Sequence, residues 1–451
     1  MTGIDSFLNS RLDQYVNEIS RLCAQPSVSA RSEGTHECAD LVAQVLGQHG
    51  FAVQKFETPG NPVLVAHADG ESPRTLLCYN HYDVQPPEPL ELWTTPPYQP
   101  TLRDGALYAR GAKDDKGELV ARLAAVDAVR SAHGGKLPCG ITFVVEGEEE
   151  IGSPHIAAFV KQHLALLKCE GAIWEEGETD PDGRPQGILG ARGILYVELE
   201  AQTLKMDAHS GDAHILPNAA WRLLRALTVL KDEAEHILIP GFYDNVKRPT
   251  DRDRALIAAL PDREKYLREH FLTGDFVLGY SGKALELAVF EPTCNIAGIS
   301  AGYQGAGSKT VIPAKATAKL DFRLVPDQDP QDILAKLRAH LRQTGFEDIK
   351  VTPIAGMMWP FKEEPDNPLV ALCSRTAEEV YGKPSVMVPM VGGSSPIYAF
   401  ARPLGNIPVI MPGLGYGENR THSPNEHIRL GDLVNAARHI ARIIDGYAEL
   451  K

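Results

Sequence analysis

The sequence predicts an α/β fold, a sheet with helices on both faces, into which a separate α+β unit is inserted. Three observations carry this expectation. Strand-like and helix-like segments alternate through the first part of the chain, the pattern of an α/β sheet. After Gly190-Ala191-Arg192-Gly193 the order becomes strand, helix, helix, strand, which marks a separate α+β unit. From about Ala355 the chain reads α/β again.

The N-terminal stretch carries Ile4, Phe7, Leu8, Leu12, Tyr15, Val16 and Ile19 at helical spacing. It has no basic n-region followed by an apolar h-region, so a signal peptide is not expected. No apolar stretch is long enough to span a bilayer, which leaves the cytoplasm as the expected location. A helix is expected over about 37–49, and strands over 62–66, 75–79, 140–145 and 171–174. Between them 116–130 reads as a helix, with Leu119, Val120, Leu123, Val126 and Val129 on one face. The proline-rich segment 86–100 reads as an ordered surface loop. In the inserted part, 194–201 alternates as a strand, 219–232 reads as a helix, and a charged, mostly helical stretch follows to about Leu287. A strand is expected at 316–325 and a helix at about 330–345. A helix at 367–381, a strand at 407–411 and a closing helix at 430–448 complete the chain.

Composition narrows the function. A chain of 451 residues makes two or three domains. Apolar residues at 43% and charged residues at 23% are ordinary globular usage, and this length buries a large core. The formal net charge of -14, with no long Lys/Arg run, speaks against nucleic acid as partner. Seven cysteines are scattered without a CxxC pair, which fits reduced thiols rather than a disulfide framework.

Ligands of open α/β sheets bind beyond the carboxyl ends of the strands. TLLCYN is followed by His81-Tyr82-Asp83, ITFVV by Glu146-Gly147-Glu148-Glu149-Glu150, and GAIW by Glu175-Glu176. LYARGAK runs into Asp114-Asp115 just before a helix. Each has an ordinary explanation taken alone. His81 suits a hydrogen-bonded strand-end histidine, Asp114 and Asp115 suit helix N-terminal charges, and the glutamate runs suit solvated turns. Late in the chain, 421–426 suits an ordinary loop. Their joint fall on one sheet edge argues for a shared purpose. Carboxylates so crowded raise one another's pKa, and a divalent cation removes the conflict. His with Asp/Glu suits zinc, with manganese second, and two cations share a bridging carboxylate. Asp83 in His-x-Asp has the spacing to orient the imidazole.

These residues resemble a known family, the M20 di-zinc metallopeptidases, and within it the carnosinase-like, cytosolic non-specific dipeptidase branch. The resemblance runs through nearly the whole chain. It rests on the ordered set HYDVQP from His81, LYARG from Leu107 leading into DDKG from Asp114, and EGEEEIGS from Glu146. The set continues with His209-Ser210-Gly211, ILIPG from Ile237, KTVIP from Lys309, RLVP from Arg323, Gly392-Gly393-Ser394 and HSPNE from His422.

The resemblance implies a catalytic domain with a mixed sheet flanked by helices, of zinc-peptidase type, plus an inserted α+β lid and dimerisation domain. The implied spans are 1–193 and 355–451 for the catalytic domain and 194–354 for the insert. It implies two divalent metal ions per subunit, zinc first, with manganese or cobalt sharing the ligand set. His81 would bind one metal and His422 the other. Asp114 would bridge both, with a cis peptide after it. Glu150 would be a ligand and Glu149 the general base toward a metal-bridging water. Glu175 would complete the set, with Glu176 as its rival. His209 would support the oxyanion in the partner subunit's site, which implies a homodimer. Thr310 and Arg323 would grip the substrate's carboxylate end and Ser394 would line the same pocket; an ordinary sheet-face arginine is the plainer explanation for Arg323. The stretch 355–359 lacks the histidine that the carnosinase branch carries there, so recognition at that end of the substrate is expected to differ.

The expected activity is cleavage of the amide bond of dipeptides or small peptides. A deacylase or desuccinylase of N-acyl-amino acids on the same metal core is the first rival. A catalytically silent metal-binding homologue is a distant one, opposed by the presence of Glu149 beside every ligand candidate. A nucleotide-binding protein lacks support, because no GxxxxGK[ST] loop is present.

Overall fold

A computed structural model describes residues 2–354 and 356–450. The chain forms two compact units. One comprises Met1–Gly190, Glu363–Pro389 and Pro396–Lys451, and the other Ala191–Lys362 and Met390–Ser395. Ala355, where the sequence reads as returning to α/β, lies outside the described residues.

The first unit is built on a sheet of six strands among the described residues, in the order Ala52–Phe56, Val63–Ala68, Cys139–Glu146, Ser72–His81, Gly171–Ile173, Val409–Ile410. Ser72–His81 is parallel to both its neighbours, whereas Val63–Ala68 runs antiparallel to Cys139–Glu146, so the sheet is mixed. Cys139–Glu146 is buried at every residue, as a central strand with both faces covered must be. The helix Lys116–Ala132 packs on the strand Ser72–His81 and on the closing helix Leu430–Tyr447. Its Leu119, Val120, Leu123, Val126 and Val129 are buried, but so are Lys116, Glu118 and Arg122. Three buried charges in one helix mean that it does more than fill the core.

The second unit is built, among the described residues, on a four-stranded antiparallel sheet in the order Thr293–Ala301, Lys315–Leu324, Gly193–Gln202, Lys350–Pro353. Leu195, Val197, Leu199 and Ala201 alternate inward and meet Leu223, Leu227, Leu337 and Leu341 of the helices Ala219–Thr228 and Pro330–Gln343. The expected helical stretch to Leu287 is broken into short helices, Asp251–Ala259, Glu264–Phe271 and Lys283–Leu287. Residues 229–250 are turns and loops, where Pro240, Gly241 and Pro249 interrupt helical hydrogen bonding. Among the described residues no helix is long and apolar enough to cross a membrane.

Candidate metal centre

The parallel strands bring their carboxyl ends to one edge of the sheet. His81, the last residue of its strand, lies opposite Glu146, and Cys78 is aligned with both Phe143 and Ile173. Chain continuing from these ends carries Glu149, Glu150 and Glu175 outward on the same side. Buried Arg122 ties two of the ends together. Its guanidinium donates to the Tyr79 carbonyl, to Asn80 Oδ1 at 2.9 Å and to the Trp174 carbonyl at 2.5 Å. The rings of Tyr79 and Trp174 stack at 3.8 Å with planes 3° apart, which fixes the same pair of strand ends from the side.

On this edge Asp114 is shared between two histidines. His81 Nε2 lies 2.8 Å from Asp114 Oδ1, and His422 Nε2 lies 2.9 Å from Asp114 Oδ2. His81 Nε2 is also 3.5 Å from Glu175 Oε2, and His422 Nε2 is 3.1 Å from Glu150 Oε2. The peptide bond between Asp114 and Asp115 is cis. Two groups with metal-ligand spacing result, His81 with Asp115 and Glu175, and Asp114 with Glu150 and His422. Glu175 is buried beside His81, whereas Glu176 has φ of +73° and is exposed. Asp115 accepts from Asn80 Nδ2 at 2.6 Å and from the His81 N–H at 3.1 Å, so its work goes beyond that of a helix-end charge.

The supports around these side chains are specific. His81 Nδ1 faces the main-chain carbonyl of Asp83 at 3.0 Å and the Asp83 carboxylate at 3.4 Å, which orients the ring so that Nε2 turns to Asp114 and Glu175. Glu150 is held by Gln85, whose main-chain N–H donates at 3.1 Å and whose side-chain amide donates at 2.8 Å.

The electrostatics fit a cation. Burial and the charge of Glu175 push Glu149 well above the usual carboxylate range. Glu175 is raised by burial and by its carboxylate neighbours, and Glu150 by burial and Asp114. Burial would raise Asp114 too, but hydrogen bonds from His422 and His81 hold it well below its ordinary value. Its hydrogen bonds to Asp114 and Glu150 push His422 up to about 10. Carboxylates forced toward protonation around two imidazole nitrogens form a donor set of N and O atoms that suits a zinc-like ion.

In the second unit, the structure pairs the remaining sequence candidates two by two. His209 is exposed, accepts from the Gly211 N–H at 3.0 Å through Nδ1, and places Nε2 3.4 Å from Thr310 Oγ1. Arg323 donates to Ser394 Oγ at 2.8 Å.

Sequence reasoning assigned no role to Arg122, Asn80, Gln85 or Glu426. Gln85 and Glu426 stand inside the quoted motifs. Glu118 and Arg122, one helical turn apart in a helix that packs on the sheet, were the visible signal for the buried charges.

A model of peptidase family M20/M25/M40 matches residues 77–446. The chain belongs to this family. It is an M20 metallopeptidase, a metal-dependent hydrolase, on the mixed α/β sheet expected from the sequence. It is 27% identical over 437 residues to beta-Ala-His dipeptidase of Rattus norvegicus, covering 93% of this chain and 86% of the relative. It is 26% identical over 482 residues to the Cys-Gly metallodipeptidase DUG1 of Saccharomyces cerevisiae, covering 100% and 98%. Among solved structures, the M20 family metallo-carboxypeptidase Sso-CP2 from Sulfolobus solfataricus matches with a TM-score of 0.91 at 34% identity, over 97% of this chain and 99% of that one.

Proposed function

We propose that this M20 enzyme hydrolyses the amide bond of dipeptides or small peptides, with Glu149 as general base beside a pair of divalent cations. The observation that carries the reading is the Asp114 carboxylate shared between His81 at 2.8 Å and His422 at 2.9 Å. His81, Asp114 and Glu175 would hold one ion, and Asp114, Glu150 and His422 the other. Such ions supply Lewis-acid polarisation of water and of the scissile carbonyl. Zinc is the first choice, with manganese or cobalt on the same ligands.

The chain's own groups do the rest. Glu149, whose carboxyl is held high by burial and Glu175, is suited to take a proton from the attacking water and pass it to the leaving amine. Asp83 orients the imidazole of His81 and anchors Glu149 and Glu150 through their main-chain N–H groups. From the inserted unit, His209 would donate to the developing oxyanion in a partner subunit of a homodimer. Arg323, Thr310 and Ser394 would bind the substrate's carboxylate. A cytoplasmic location is supported by seven buried cysteines, all free.

The peptidase names of the relatives favour peptide substrates over N-acyl-amino acids. The test is a hydrolysis screen of metal-loaded protein against dipeptides, short peptides, and acetylated and succinylated amino acids. Cleavage confined to the acylated set would overturn the peptide assignment, and inertness toward every substrate would overturn the catalytic one.

A further inference from the structure

The Glu426 side chain is wholly buried, yet it takes no part in the proposed chemistry. Its two oxygens collect four donors from one short loop. Oε2 accepts from Arg110 Nη1 at 2.8 Å and from the Gly111 N–H at 3.0 Å. Oε1 accepts from the Lys113 N–H at 2.9 Å and from the Asp114 N–H at 3.0 Å. Three successive-loop amides turned onto one anion form a main-chain nest, and charge-assisted bonds of this kind are about twice as strong as neutral ones. The last of those amides belongs to Asp114, the residue shared by His81 and His422.

Glu426 also sits four positions after His422, and that segment is fastened independently. The Glu426 carbonyl accepts from the Ala109 N–H at 3.1 Å. Asn425 accepts from the Thr94 N–H at 2.8 Å and donates to the Leu92 carbonyl at 2.9 Å. One carboxylate therefore joins the loop that aims Asp114 to the segment that presents His422.

Resting on the metal-dependent reading above, we propose that Glu426 is a positioning residue that sets the spacing between Asp114 and His422 and so the affinity of the ion they share. The donor count makes the claim specific. A glutamine at 426 has one acceptor oxygen and one NH2, so one half of the nest would meet a donor with a donor, and Arg110 would lose its buried counter-charge. An aspartate keeps the charge but is one methylene shorter, and it cannot satisfy both halves from the same backbone position.

The test titrates the metal-stripped full-length protein with Zn²⁺ against a chromophoric chelator, for wild type, Glu426→Gln and Glu426→Asp. Circular dichroism and melting curves are recorded in parallel. We expect wild type to bind two ions. In Glu426→Gln one of them should weaken about 10–100-fold, the usual cost of losing a group that orients a metal ligand, with Glu426→Asp in between. Excess metal should restore turnover in folded variants, which a purely structural defect would not permit. Should Glu426→Gln fail to fold, Glu426→Asp decides. Wild-type affinity in either folded variant would overturn the inference while leaving the metal centre intact. Wild type that binds no ion would sink the metal reading and this inference together.

Discussion

The carboxylate of Asp83 accepts the main-chain N–H of Glu149 at 3.2 Å. Its second oxygen accepts that of Glu150 at 3.0 Å. Two adjacent glutamates thus leave a single buried anchor, one held by Gln85 beside His422 and the other carrying no hydrogen bond on its side chain among the described residues. An anchor through the backbone leaves the Glu149 carboxyl free to exchange a proton without moving the turn that carries it.

Glu149→Gln removes the proton acceptor and keeps this anchor. Metal stoichiometry should stay at the wild-type value, and kcat should fall about 10²–10⁴-fold. Metal analysis together with steady-state kinetics checks both. Near-normal turnover would remove Glu149 from the general-base role.

Stripping the metal should abolish hydrolysis and also lower the melting temperature, because an ion that binds only the folded state stabilises it. The gain is about 2.7 kcal/mol when free metal stands at 100 times Kd. Scanning fluorimetry across zinc concentrations should show a rising midpoint in wild type and a flatter response in His422→Ala. A midpoint indifferent to zinc would argue against a folded-state site.

Away from the centre, His49 joins three helices. Its Nδ1 meets Asp127 at 2.8 Å and its Nε2 meets Glu18 at 3.0 Å, while its carbonyl accepts from Arg130 at 2.6 Å. Burial alone would lower its pKa, but the bonds to Asp127 and Glu18 push it up from 6.5 to about 9. Because the folded value is raised, its contribution is complete below the unfolded pKa and fades as pH climbs through about 9. That contribution is on the order of 3 kcal/mol. Urea midpoints should decline between pH 6.5 and 9 in wild type, and His49→Gln should remove most of that slope. An unchanged slope would exclude the His49 contacts as its source.

Arg122→Leu would keep bulk in the core and strip the donors from the Tyr79 and Trp174 carbonyls and from Asn80. Glu118 and Asp115 would also lose a nearby positive charge. A loss of roughly 3–5 kcal/mol is expected, as for breaking a buried ionic network. Zinc affinity should weaken as well, since the released strand ends carry His81 and Glu175. Stability equal to wild type in denaturant titration would contradict this account.

Arg323→Met should raise KM about 10–150-fold with little change in kcat, matching the 1.5–3 kcal/mol of a charged hydrogen bond to a substrate carboxylate. Dipeptides and their C-terminal amides distinguish the cases. If Arg323→Met penalises both equally, Arg323 does not read that carboxylate.

Elements whose side chains alternate or recur with a clear period were legible beforehand. The strand Gly193–Gln202 alternates residue by residue, and the helix Pro330–Gln343 buries Ile333, Leu334, Leu337 and Leu341. The strand Thr293–Ala301 was not legible. It is an edge strand exposed on both faces over much of its length, with Ile296 and Ile299 in solvent, so no hydrophobic period marks it. Cys78 and Cys139 are both buried in strands, in keeping with the reduced, scattered thiols expected from the sequence.

By itself the sequence determined which acidic and histidine residues follow the apolar runs, because a strand's end is a local event written in neighbouring residues. Only the tertiary structure decided which of those groups meet. Asp114 lies between His81 and His422 because the chain closes over long separations. Glu175 rather than Glu176 faces His81 because a left-handed residue turns the second glutamate out to water. The burial of Arg122 and Glu426 follows the same logic: a charge can be taken from water only where distant main-chain groups converge to replace it.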